Sequence, residues 1–220
     1  NITAKSLTVS GITASSKTYD GSTSATLDPS LVVYSGLVTG DTFDGTYTGV
    51  FSNANVGTGK TINITSSYSG ADVNNYSVTD QSSTTAHITA KALTATASAS
   101  NKTYDGGTTA STTLTFTGLV GSETLGQTVG STFDNKNVGS NKTVTVNSIT
   151  LGNGSNGGLA ANYSISAGQT TTADITAKAL TVSGITASNK MYDGNTVATL
   201  SSSNVTSVSY THLTLPTNRE

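Results

Sequence analysis

Three times along the chain a lysine, a tyrosine, an aspartate and a glycine recur at fixed spacing: Lys17, Tyr19, Asp20 and Gly21, then Lys102, Tyr104, Asp105 and Gly106, then Lys190, Tyr192, Asp193 and Gly194. An amine, a phenol and a carboxylate within four residues are the richest chemistry the sequence offers. Scaffold work suits them best. Tyrosine carries a ring into a core and keeps its hydroxyl for a polar partner. Asp-Gly makes a tight turn, the aspartate through its side-chain hydrogen bond and the glycine through positive φ. Lysine lays its stem over a ring or pairs with the aspartate. A sharper chemistry is open to the same residues. Lys17 would form an intramolecular isopeptide bond with an asparagine such as Asn55 or Asn75, promoted by Asp20 and releasing ammonia.

Beyond these motifs the catalytic inventory is poor. Ahead of the last thirteen residues His87 is the one histidine, and no cysteine exists to serve as nucleophile, thiolate ligand or disulfide partner. No Gly-x-Ser-x-Gly elbow occurs, and a Ser/His/Asp set would have to assemble around that single histidine. The run Gly152–Gly158 is glycine-rich but lacks the lysine and strand-to-helix context of a phosphate loop, so it reads as a surface loop. Carboxylates stand mostly alone. Asp41 and Asp44 are the closest pair, too few for a calcium loop. The expectation is no catalytic residue, no cofactor and no metal, hence no enzyme.

The elements that must hold these residues follow from composition. Only 10% of the 220 residues are charged, against roughly 25% in an average domain. Their place is taken by 44 Thr, 32 Ser and 23 Gly, with Val, Ile and nine Tyr as the apolar share, a mixture that favours strands and turns. The net charge is −2 and the lysines are scattered singly, so no basic stripe marks a nucleic-acid partner. No run approaches the roughly eighteen apolar residues of a membrane helix, and membrane insertion is not expected.

Self-similarity sets the organisation. ITAKSLTVSGITASSKTYDG from Ile2 returns as ITAKALTATASASNKTYDG from Ile88 and as ITAKALTVSGITASNKMYDG from Ile175. GLVTGDTF at Gly36 matches GLVGSETL at Gly118, FSNANVGTGK at Phe51 matches FDNKNVGSNK at Phe133, and NNYSV at Asn74 matches ANYSI at Ala161. Two complete repeats, 1–87 and 88–174, therefore precede the start of a third, truncated one, 175–207. A period this long suits a small domain better than a solenoid coil. In the first repeat the expected strands are Ile2–Val9, Thr23–Leu27, Leu31–Tyr34, Thr46–Phe51, Thr61–Ser66, Tyr76–Thr79 and Thr84–Lys91. In the second, Thr112–Thr117 and Lys142–Asn147 alternate apolar and polar residues. The fold class is all-β, with tandem antiparallel β-sandwich modules of immunoglobulin-like kind. Thr84–Lys91 and Thr171–Lys178 read as continuous strands across the joints with no flexible spacer, which implies modules set end to end as a rod.

The K-x-YDG opening, GLV-x-x, the NVG-x-x-K turn and the NNYS/ANYS segment resemble the YDG-type repeats of filamentous-haemagglutinin-like bacterial adhesins, over residues 1 to about 207. The resemblance implies an extracellular protein on the surface of a Gram-negative cell, commonly exported by a type V route through an outer-membrane transporter. It implies no catalytic or ligand-binding residue. Function is then expected to be that of stalk or spacer repeats in a large secreted or surface-anchored adhesin, projecting a binding region for cell adhesion or biofilm formation. Host-cell or matrix glycans or proteins would be met by other parts of the full-length chain. The alternative is that exposed loops such as Asn153–Ala161 bind a glycan or host protein themselves. From Val208 the chain departs from both earlier repeats, and residues 208–220 resemble translated sequencing-adapter read-through.

Overall fold

The structure is a computed structural model that describes residues 1–208, so the departing C-terminal string lies, apart from Val208, outside the described residues. Every long element among them is a strand. The helical turns are two short 3-10 pieces, Val73–Asn75 and Ala160–Asn162. The first repeat forms β1 (Lys5–Ser10), β2 (Thr13–Ala14), β3 (Lys17–Thr18), β4 (Ser24–Ala25), β5 (Leu27–Asp28), β6 (Val33–Ser35), β7 (Asp44–Phe51), β8 (Gly57–Ser69), β9 (Tyr76–Thr79) and β10 (Ser83–Thr89). The second forms β11 (Lys91–Ala92), β12 (Thr94–Ala99), β13 (Lys102–Thr103), β14 (Thr109–Ala110), β15 (Thr112–Thr117), β16 (Leu125–Phe133), β17 (Gly139–Asn153), β18 (Tyr163–Ser164) and β19 (Thr170–Thr176). The start of the third adds only short strand pairs.

The chain divides into two compact units. One takes residues 1–97, 114–129 and 147–169; the other takes 98–113, 130–146 and the chain from 170 on. In the first unit a three-stranded sheet, β6-β1-β9, accompanies a five-stranded one, β3-β10-β8-β7-β4. Alternate side chains point inward, as a strand's two-residue period requires. Leu7 and Val9 of β1 are buried with Ile12, Phe43 and Tyr76, against half-buried Tyr47, Ile64 and Tyr68 of β7 and β8. A second cluster gathers Tyr19, Phe51, Ile62, Ala86 and Ile88 with Leu93 and Tyr163. Those last two belong to the second repeat, so one core runs across the joint of the sequence repeats. In the other unit Ala110, Phe133, Val144, Ala173 and Ile175 form a core beside half-buried Ala99 and Tyr104.

The all-β class is as the sequence implies, but three details differ. The sheets are mixed, not purely antiparallel. β9 runs parallel to β1, β3 to β10, β11 to β18 and β13 to β19. Strands as far apart in sequence as β1 and β9 are joined by no hairpin, and so are free to align in either sense. The joint strand is also interrupted. β10 stops at Thr89 and β11 starts at Lys91, because the chain exchanges partners there, from β8 and β3 to β18. In the next joint β19 ends at Thr176. Finally, β8 and β17 are far longer than the Thr61–Ser66 and Lys142–Asn147 cores that their alternation marked, reaching 13 and 15 residues. β8 pairs with β7 from Phe51↔Ile62 out to Asp44↔Ser69, where hydroxyl and glycine residues carry no apolar alternation.

Candidate functional site

The Lys-x-Tyr-Asp-Gly segments fold as clamped turns. Lys17 sits on β3, held parallel to Ile88 of β10. Its Nζ donates to Asp20 Oδ1 and to the Ser22 carbonyl, each at 2.8 Å, and lies 5.6 Å over the centroid of the Phe51 ring. The same Asp20 oxygen accepts the Ser22 N–H at 2.8 Å, closing the turn that Gly21 enters at φ +78°. The Lys17 ammonium holds the Asp20 carboxyl below its ordinary value. The second copy repeats this point by point. Lys102 donates to Asp105 at 2.8 Å and to the Gly107 and Thr109 carbonyls, above the Phe133 ring. Lys190 pairs with Asp193 at 2.7 Å, and Asn195 takes the place of Ser22. Lys102 and Lys190 likewise hold the carboxyls of Asp105 and Asp193 low.

The ring under each of the first two lysines is the phenylalanine that ends β7 or β16, while the motif's own tyrosine goes elsewhere. Tyr19 is buried, and its hydroxyl donates to Glu123 Oε1 at 2.6 Å, 104 residues on. Tyr163 donates to the other oxygen of the same carboxylate, also at 2.6 Å, and accepts the Val120 N–H at 2.9 Å. The two rings meet edge to face with centroids 5.4 Å apart. Asn162, almost fully buried, completes the joint. Its Oδ1 accepts the Val56 N–H at 3.0 Å and its Nδ2 donates to Asn55 Oδ1 at 3.1 Å. Burial, then the Glu123 carboxylate, pushes the Tyr19 phenol up to about 12, and burial raises that of Tyr163. Sequence reasoning missed Glu123, Asn162 and Tyr163 as partners of the motif. The signal was present: Glu123 is the single glutamate ahead of the C-terminal string and sits inside a repeated landmark.

Other expectations fare differently. Lys17 makes no hydrogen bond to Asn55 or Asn75 among the described residues; its amine is held by Asp20 and Ser22, and Asn55 is engaged with Asn162. This geometry does not assemble an isopeptide bond. Asp41 accepts the Tyr76 hydroxyl, while Asp44 opens β7. His87 accepts the Gly59 N–H through Nδ1, and its counterpart Asp174 accepts the Asn141 N–H, so both positions supply an acceptor to a neighbouring turn. The Asn153–Ala161 loop is tied down by Ser155 to Thr124, Asn156 to Ser122 and Gly154 to Gly158. A Cβ at Gly158 would stand 1.9 Å from the Thr124 carbonyl oxygen, so glycine here serves close packing. Tyr192, by contrast, is fully exposed, since the strands that cover Tyr19 have no counterpart among the third repeat's described residues.

A family model described as YDG domain matches residues 3–86 and again residues 89–173. No curated protein and no solved structure matches the chain.

Proposed function

This chain belongs to the YDG domain family, and from that premise we propose that its repeats are stalk or spacer modules of a large secreted or surface-anchored bacterial adhesin. They project a binding region away from the cell, for adhesion or biofilm formation. The parent chain reaches the surface by a type V route through an outer-membrane transporter, and its contacts with host glycans or proteins lie in other regions. The repeats themselves carry no catalysis.

One observation supports this reading above the rest. Ile88 and Tyr19 of the first repeat share a core with Leu93 and Tyr163 of the second, and the Tyr19 and Tyr163 hydroxyls share one carboxylate. A repeat junction packed in this manner resists bending as a free linker does not. The surroundings fit the same role, since scattered lysines blunt sheet edges and hydroxyl-rich strands keep an exposed surface hydrated. Small-angle X-ray scattering on chains of two, four and six YDG repeats is the test. The maximum dimension is expected to rise in proportion to repeat number. A dimension that grows only as the cube root, as in a compact assembly, would remove the stalk role.

A further inference from the structure

The residues that receive Tyr19 occur twice, and only one set is filled. Val38, Asp41, Asn75 and Tyr76 are the first repeat's counterparts of Val120, Glu123, Asn162 and Tyr163. The internal wiring is the same. Tyr76 accepts the Val38 N–H at 3.0 Å and donates to Asp41 Oδ2 at 2.5 Å, as Tyr163 does with Val120 and Glu123. What differs is occupancy. Both oxygens of Glu123 hold a phenol, whereas Asp41 Oδ1 has no hydrogen-bond partner among the described residues. Asn162 is buried with both ends of its amide engaged, whereas Asn75 is exposed. Ile88, 1% exposed, lies against Tyr19, while its counterpart Ile2 is 104% exposed. A cavity of about 290 Å³ lies between, lined by Ile2, Lys5, Val38, Asp41, Asn75 and Tyr76 among others.

We infer that this surface is a receiving site for the Lys-x-Tyr-Asp-Gly turn of another YDG unit. The incoming tyrosine donates its hydroxyl to Asp41 Oδ1, and the asparagine of its Asn-Val-Gly turn pairs with Asn75. Ile2 and Thr3 serve that unit as the closing strand, as Ile88 and Thr89 serve Lys17 and Thr18. This last element selects the occupant. A second copy of this chain already closes its Lys17 and Lys102 turns with its own Ile88–Thr89 and Ile175–Thr176, and its Lys190 turn, which leaves Tyr192 exposed, is followed by no Asn-Val-Gly turn to pair with Asn75. The fitting partner is a YDG unit joined in sequence to Asn1, lacking a closing strand of its own. The inference rests on the equivalence of two sites, and it stands whether or not the repeats act as a stalk.

A chain lengthened at Asn1 by a second copy of residues 1–86, so that Asn1 takes the place of His87 and Ile2 that of Ile88, tests it. The added tyrosine changed to Phe, Asp41→Ala, and both together form a double-mutant cycle in urea unfolding, with Tyr19→Phe and Glu123→Ala as the standard already in the chain. The expected non-additivity is at least fivefold in the unfolding constant for both pairs. Ile2→Asp supplies a second readout: no change in midpoint for the original chain, and a fall of several degrees for the lengthened one. Additive effects at Asp41, with Ile2→Asp equally harmless in both chains, would overturn the inference. So would self-association of the original chain that Asp41→Ala abolishes, because a second copy would then be the occupant.

Discussion

Lys17 acts on its turn in two ways, and substitutions separate them. Its stem and ammonium cover Phe51, and its three donor contacts close the turn through Asp20 and Ser22. Lys17→Met keeps the stem and loses the donors to partly solvated acceptors, for an expected loss of about 1 kcal/mol. Lys17→Ala uncovers the ring as well, for roughly 2 kcal/mol. Urea unfolding of both variants measures the split, and equal losses would mean that the stem does not contribute. The carboxylate side has a pH signature. Asp20, Asp105 and Asp193 are held below the unfolded value of 3.8, so their contribution is complete above that value and fades as pH falls through the folded values. The clamp was legible in the sequence because all its parts lie within six residues. It forms even at Lys190, where the third repeat has no described core beneath it. The tyrosine's partner was not legible, since a contact across 104 residues leaves no local periodicity.

At the scale of the turn and the strands it joins, Gly21 and Gly106 form a natural comparison. Both hold positive φ, +78° and +83°. A Cβ at Gly21 would stand 2.8 Å from Val120 Cγ1 of the next repeat, whereas a Cβ at Gly106 meets nothing within 4 Å. Gly106→Ala is therefore expected to cost only the left-handed penalty of roughly 1–2 kcal/mol. Gly21→Ala should cost about 1 kcal/mol more, because Val120 must move. Equal losses would show that the repeat joint gives way freely. The same region explains which elements sequence reading could place. Alternation located Tyr76–Thr79 to the residue and the centres of β7 and β8, where one face is buried. It failed at the outer end of β8, where Ser66, Ser67 and Ser69 carry little contrast between faces, and it stopped short in β17 although Ile149 and Leu151 resume the alternation there. It failed again at Ala90, where the chain leaves one sheet for another while its polar and apolar residues go on alternating.

Across the whole molecule the unusual resource is tyrosine, used in place of charge. Hydroxyls of Tyr19, Tyr68, Tyr76 and Tyr163 all end on carboxylates, those of Glu123, Asp80, Asp41 and Glu123 again. Tyr34 and Tyr47 pair with each other. Such bonds exist only while the phenol keeps its proton. Burial, followed by the carboxylate, pushes Tyr19 and Tyr68 up to about 12, and burial pushes Tyr47 higher still. In the unfolded chain these phenols ionise near 10, so between 10 and 12 the folded protein holds more protons than the unfolded one. Stability drawn from them is complete below about pH 10 and declines as pH rises toward 12. Thermal melts between neutrality and that range should show a plateau and then a fall of several degrees. Phenolate absorbance should rise in two stages, the later one accompanying unfolding. Glu123→Gln removes the second cause at Tyr19 and leaves the first, so its late stage should begin at lower pH without merging into the early one. A melting temperature flat to pH 12, or a single stage for all nine tyrosines, would mean that the buried phenols do not hold the cores together.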